Sequence, residues 1–312
     1  MILTQDVYSF LVVFFSSKDL FIMIRQTLSL FIAISILMVN ADPVQQRPTL
    51  RGVTVRVGPF VKENNGKFEG FIPDLVQAIS EKVGFDYTLY LSPDGRYGNV
   101  ISDGNVTGMI GEVYNKKADF AAADLTMTEA RENYITFTEP FMINQLAALI
   151  RREDAEGLNT LEDLAKAQET FPKRKRIVLG TLRNGATNYF LSKSDDPLAK
   201  KIYEQIKADD QSNVKSISEG VERVDKQGGY AFIMESASAE HEIANNCKLT
   251  MLLDWRNLFP RKYAFALPKD SPYLEHFNNA IKQLNSEGKI AELRRKYWAN
   301  NCAENKTKDD KN

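Results

Sequence analysis

The strongest constraint on this chain is a change of hydrophobic period that repeats along it. The run VTVRV from Val53 to Val57 alternates apolar and polar residues, as a half-buried strand does. From Phe71 to Val83 the apolar residues recur at helical spacing and stop at Gly84, and YTLYL from Tyr87 to Leu91 returns to the strand period. A short helix is expected around Met109 to Asn115, after a glycine-containing turn at Asp94–Gly98, and FAAA from Phe120 reads as a buried strand. Strands that alternate with helices in this way fold as an α/β layer, and the pattern predicts a mainly parallel sheet.

A second unit of the same kind begins after Arg152. It holds a capped helix at TLEDLAKA from Thr160, a strand over Ile177–Gly180, and a glycine turn running into a helix between Thr181 and Phe190. Two more helices, the strand YAFIM from Tyr230 and a helix from Ser236 follow. The chain then returns to the apolar run Tyr263–Leu267 and closes with helices between Tyr273 and Trp298. Strands at both boundaries predict two crossings, hence two lobes: residues 51–144 with 262–302 as lobe 1, and 145–261 as lobe 2. The polar segment 303–312 is expected to be a disordered tail.

At 312 residues and 43% hydrophobic content the chain can fill two such lobes, and a formal net charge of −1 with interspersed signs gives no reason to expect a nucleic-acid partner. The basic run Lys173–Arg176 reads as a solvated loop. Near the start, Arg25 precedes an apolar run from Leu28 to Val39 and then Ala41, the layout of a secretory signal peptide covering residues 1–41. The start is Met1 or Met23, and the apolar block Val7–Phe15 leaves an uncleaved anchor as the alternative to secretion. Asn105-Val-Thr and Asn305-Lys-Thr are glycosylation acceptors. Two cysteines, Cys247 and Cys302, allow one pairing; with two histidines and no CxxC no metal site is expected, and no phosphate loop or nucleophile elbow points to a cofactor or an enzyme.

The stretch ADLTMTEAR from Ala123 to Arg131 carries two readings at once. Thr126-x-x-Glu129 fits a capping box, while Thr128 can equally cap a helix beginning at Glu129. Free N–H groups at a helix start beside a forked guanidinium also make a carboxylate site. Other polar residues are ambiguous when taken singly. Tyr97 and Tyr263 read as half-buried aromatics, Glu235 as an acid favoured at a helix start and Thr187 as an N-cap.

Five motifs taken in order, FEGFIPDL from Phe68, DGRYG from Asp94, LTMTEAR with FTEPFM from Leu125 and Phe137, GTLRNGAT from Gly180 and YAFIMES from Tyr230, make the chain resemble one family. It is similar, from about Arg51 to Cys302, to the ligand-binding domain of ionotropic glutamate receptors, which shares a two-lobed α/β clamshell with periplasmic amino-acid-binding proteins. The resemblance implies that Arg131 pairs with a ligand α-carboxylate, helped by the backbone N–H groups of Thr126 and Ala186. It implies that the Thr126 hydroxyl and Glu235 receive the α-ammonium, that Thr187 holds a side-chain carboxylate, and that Tyr97 and Tyr263 flank the ligand. It also implies a disulfide between Cys247 and Cys302.

Departures from the family pattern accompany these matches. Asp124 stands where the receptors usually have proline, adding a carboxylate beside the ammonium subsite. Val57 and Ile217 replace polar lobe-to-lobe contacts, and Arg183 and Met234 are candidates for ligand selection. Only the hexapeptide Glu153–Leu158 separates the segments between which the channels carry their pore, so no pore is expected, and no amino-terminal domain before Arg51. The function implied is a secreted, pore-less receptor-like protein that closes on an L-amino acid, glutamate first. The alternatives are a glycine, alanine or serine binder, a protein that dimerises through lobe 1 or modulates full-length receptors, and, furthest behind, a lyase on the same fold.

Overall fold

The computed structural model describes residues 21–31, 47–99, 105–170, 176–209, 211–254, 256–257 and 259–302. Residues 21–31 form an exposed helix in one unit, Met1–Arg47, and the remainder forms a second, Pro48–Asn312. The rest of the expected signal segment, Asn305, the tail 303–312 and Lys173–Lys175 lie outside the described residues.

The first strand, β1 (Thr49–Thr54), is earlier than the alternation from Val53 suggests. The reason is local: Gly58-Pro59 turns the chain, and Val57 pairs back with Val61 across it. A proline cannot donate to a ladder, so the strand ends before it. The hairpin β2 (Lys62–Asn64) and β3 (Lys67–Glu69) then closes on Asn65-Gly66, both at positive φ, the pairing that suits the strand twist. Helix α1 (Phe71–Val83) has the bounds its periodicity predicts. Gly84, at φ 84°, takes the left-handed cap, and its N–H reaches the Ser80 carbonyl. Strand β4 (Asp86–Leu91), α2 (Gly108–Tyr114), β5 (Phe120–Ala121), the single turn α3 (Glu129–Glu132) and β6 (Thr136–Phe137) complete the first pass of lobe 1.

Strand β7 (Met142–Arg151) carries the chain into lobe 2. There follow α4 (Leu161–Thr170), β8 (Val178–Thr181), α5 (Ala186–Lys193), α6 (Pro197–Lys207), α7 (Ile217–Lys226), β9 (Tyr230–Glu235), α8 (Ser236–Asn245) and β10 (Leu249–Leu253). The cap expected at Thr160 forms, as a reciprocal box: its hydroxyl accepts from the Asp163 N–H at 3.0 Å while Asp163 accepts the Thr160 N–H at 3.0 Å. The chain returns through β11 (Pro260–Tyr263) to β12 (Ala266–Leu267), α9 (Leu274–Ser286) and α10 (Lys289–Tyr297).

Besides the β2–β3 hairpin two sheets result, ordered β4-β1-β5-β12-β6 and β10-β7-β9-β8, with β11 paired to β7. The mainly parallel sheet that the sequence suggests is corrected to mixed sheets. Strand β1 is parallel to β4 and β5, and β8 to β9, but β12 and β7 pair antiparallel with all their neighbours. Chains that leave and re-enter a lobe run in opposite senses, so β7 and β11 lie antiparallel, from Met142 opposite Tyr263 to Gln145 opposite Pro260. These paired strands are the two crossings.

Lobe 1 packs an aromatic core in which Phe85 stacks on Phe277 with ring centres 5.5 Å apart. Gly52 in β1 makes room there, since a Cβ would stand 2.6 Å from Leu89 and Phe120. The lobe 2 sheet is covered on both faces. Along β9, Ala231 and Ile233 join one apolar cluster while Tyr230, Phe232 and Met234 join the other, the period-two division of a strand buried twice. The disulfide Cys247–Cys302 ties the end of the described chain to lobe 2, and the Trp298 indole N–H donates to the Ala237 carbonyl at 2.7 Å.

Candidate functional site

The cleft between the lobes gathers side chains from segments far apart in sequence. On the lobe 1 side, the loop from β5 to α3 is held by β11: Ala264 N–H donates to the Leu125 carbonyl and Met127 N–H to the Lys262 carbonyl. Thr126, between those bonds, faces Tyr263 with its own N–H unbonded among the described residues. The cap of α3 is Thr128, whose hydroxyl accepts from the Arg131 N–H, so the capping box at Thr126 does not form and its hydroxyl is left for the cleft.

Arg131 is 2% exposed. Its Nη1 donates to the Thr126 carbonyl at 2.7 Å, and Nε and Nη2 to the Gly98 carbonyl at 3.2 Å each. No carboxylate lies within ion-pair distance of it among the described residues. Burial pulls its pKa down to about 10, against the attraction of Glu235, Tyr97 and Asp124, so it remains a cation at neutral pH. A buried cation held only by main-chain dipoles is a site for an anion.

Lobe 2 contributes the turn from β8 to α5. Asn184 adopts φ 58° and Gly185 stands at the cap, so no side chain occupies the first N–H groups of α5, those of Ala186 and Thr187. Thr187 is therefore not the N-cap that its type suggests. Its hydroxyl donates to Glu235 Oε1 at 3.0 Å, and the Thr126 hydroxyl donates to the same oxygen at 3.3 Å. Glu235 ends β9 and stands at the cap of α8 without bonding its N–H groups, which frees the carboxylate for the cleft. The lobes are thus bridged at Glu235, and again where the Asn99 side-chain amide donates to the Asn184 carbonyl.

Asp124 is 5% exposed and accepts from the Tyr97 hydroxyl at 2.8 Å. Burial raises its carboxyl to about 7; the Tyr97 hydrogen bond opposes this, the Glu235 charge adds to it and Arg131 opposes it. The phenol of Tyr97 is pushed well above its ordinary value by burial and by Asp124, and that of Tyr263 by burial and by Glu235.

An inner cavity of about 40 Å³ is walled by Tyr97, Asp124, Thr126, Arg131, Ala186, Thr187, Met234 and Glu235 among others. An outer cavity of about 580 Å³ shares Tyr97, Leu182, Gly185 and Ile217 with it. Val57 and Ile217 both line the outer cavity, and Ile217 packs on the cores of both lobes, so the lobe contact there is apolar. Arg183 is exposed at the outer cavity and does not reach the inner one. Asn105 is exposed. Among the described residues no group of three or more His, Cys, Asp or Glu could hold a metal ion.

Sequence reasoning missed Arg261 in β11. Its guanidinium lies 3.9 Å over the Phe190 ring, with Nε and Nη2 buried and unbonded, and it is close enough to Glu235 to feel its charge. Nothing in its surroundings in the sequence separates it from Lys262 beside it, because what matters is the crossing strand that carries it.

Two mixed α/β lobes joined by two antiparallel crossings, with an arginine on one side of the cleft and a carboxylate on the other, define a clamshell ligand-binding domain. Residues 48–154 match the family model described as the ligated ion channel L-glutamate- and glycine-binding site. A probable glutamate receptor of Lithobates berlandieri is 27% identical over 401 aligned residues, covering 89% of this chain and 82% of the relative, and glutamate receptor U1 of Xenopus laevis is 26% identical over 80% and 74%. The solved structure of Drosophila muscle GluRIIB in complex with glutamate superposes with a TM-score of 0.72 at 25% identity, over 80% of this chain and 98% of that one. The chain carries a ligand-binding domain of the ionotropic glutamate receptor type.

The 401 aligned positions exceed the 312 residues of this chain, so the Lithobates relative carries segments that it lacks. Residues 152–160 alone join β7 to α4, which leaves no room for a pore there, and no helix among the described residues is long and apolar enough to cross a membrane.

Proposed function

We propose that this protein binds an L-α-amino acid, glutamate first, by closing its two lobes on it, and that it acts as a receptor-like binder and not as an enzyme. The observation that carries this reading is Arg131, a buried cation with no carboxylate partner among the described residues, whose fork faces a cleft that also holds Glu235. The α-carboxylate pairs with Arg131 and the N–H groups of Thr126 and Ala186, while Glu235, the Thr126 hydroxyl and Asp124 surround the ammonium. Contacts come from both lobes, so ligand shifts the population toward the closed form. Secretion, with Met1–Ala41 removed, and pairing through lobe 1 belong to the same proposal.

One observation favours the smaller ligands as a second reading. The Thr187 hydroxyl is already bonded to Glu235, and an acidic side chain must take it over, whereas glycine, alanine or serine leaves that bond in place. Calorimetric titration with glutamate, aspartate, glycine, alanine and serine separates the two, and silence from all five at millimolar concentration would sink both. Arg131→Ala is expected to abolish binding, since it removes the charged partner and strands the Gly98 and Thr126 carbonyls at a cost of about 2 kcal/mol or more in stability.

A further inference from the structure

The outer cavity is too large to be an extension needed by a free amino acid. Its volume of about 580 Å³ compares with about 40 Å³ for the inner one, and the two share walls at Tyr97, Leu182, Gly185 and Ile217. The Asn99 to Asn184 hydrogen bond spans the lobes at its rim, so it is a chamber bounded by both of them.

Its charge is one-sided. Arg96 from lobe 1 and Arg183 and Lys215 from lobe 2 line it, and none of the three forms an ion pair among the described residues. Arg56 also lines it but is matched by Glu63. Among the described residues the one acid in its wall is Glu242, whose carboxyl burial pushes up. Three unmatched cations from opposite walls focus a positive field into the space between them.

We infer that the cleft accepts amino acids extended by an acidic arm, with the α-amino acid head in the inner cavity and the anionic end in the outer chamber against Arg96, Arg183 and Lys215. This deepens the proposed amino-acid site and rests on it. The ligand class is an acidic γ-glutamyl dipeptide or an equivalent: a γ-amide carbonyl accepts from the Thr187 hydroxyl as a γ-carboxylate would, and the second residue leads past Leu182 and Ile217. Glutamate alone meets the groups of the inner cavity and does not reach the cationic chamber.

The test is a calorimetric titration of the full chain with L-glutamate, γ-L-glutamyl-L-glutamate and γ-L-glutamyl-L-glutamine amide, the last being an uncharged arm of the same length. The acidic dipeptide is expected to bind about tenfold more tightly than the amide, the sum of a few solvent-exposed charge contacts. That ratio is expected to shrink toward one at high salt in the unaltered protein, and in the R96Q/K215Q variant, which keeps its glutamate affinity. Glutamate binding with no binding of the acidic dipeptide, or with equal affinity for dipeptide and amide, overturns this inference alone. Failure of every amino-acid ligand overturns the proposed function and this inference with it.

Discussion

Replacing Asp124 by asparagine tests the electrostatics of the cleft while keeping the acceptor that Tyr97 uses. In the folded protein the Asp124 carboxyl stands near pH 7, chiefly because it is buried, whereas in the unfolded chain it titrates near its ordinary value of about 3.9. Between those values the folded state holds a proton that the unfolded state has lost. The contribution of Asp124 to stability therefore falls as pH rises from about 4 to about 7, and is level above that. The span corresponds to at most about 4 kcal/mol. The amide has no charge to bury, so D124N is expected to exceed the wild type by about 2–4 kcal/mol at pH 8 and to equal it near pH 4.

Urea unfolding of the ligand-free protein, followed by circular dichroism across that range, reads the difference directly. Groups facing Asp124 from the neighbouring elements are Tyr97, Glu235 and Arg131, and all three remain in the variant. A second arm uses the ligand. At pH 7 Asp124 is about half protonated, and an arriving ammonium favours the carboxylate, so binding should release up to about half a proton. That release appears as a binding heat that varies with the ionisation enthalpy of the buffer, and it should vanish in D124N. Parallel stability profiles for the two proteins from pH 4 to pH 8 would refute the reasoning, because the burial penalty would then be absent.

Two further substitutions probe the frame around the cleft. In Gly180→Ala the new methyl group collides with the Ser212 carbonyl and the Tyr230 hydroxyl, which are hydrogen-bonded to each other at 2.8 Å, so a loss of about 2–4 kcal/mol is expected in urea unfolding. Cys302→Ser opens the only disulfide, which joins residues 55 apart, and is expected to cost about 2–4 kcal/mol while leaving the cleft residues in place. Ordinary midpoints in either variant would show that these contacts are not needed.

Much of the secondary structure follows from local chemistry. The 13 residues of α1 end where Gly84 permits the left-handed cap, and the Thr160 box forms because Asp163 lies three residues on. Signals of the same local kind were legible and unread at Asn65-Gly66, the turn of the β2–β3 hairpin. The mixed sheets come from long-range pairing instead. A period of two tells which face a residue takes, but not which strand lies beside it or in which direction.

By itself, then, the order of residues determined an α/β chain of strands and helices, the family motifs within it, and the types of group that could meet a zwitterion. Only the tertiary structure decided what each group faces. It buried Arg131 with no carboxylate partner among the described residues, bonded Glu235 to hydroxyls of both lobes, brought Arg261 against Phe190 and opened a cationic chamber beside the inner cavity. The physical reason is distance along the chain. Thr126 and Glu235 are 109 residues apart, and their hydrogen bond, like the burial that moves Asp124, exists only once both crossings are paired and the lobes have met.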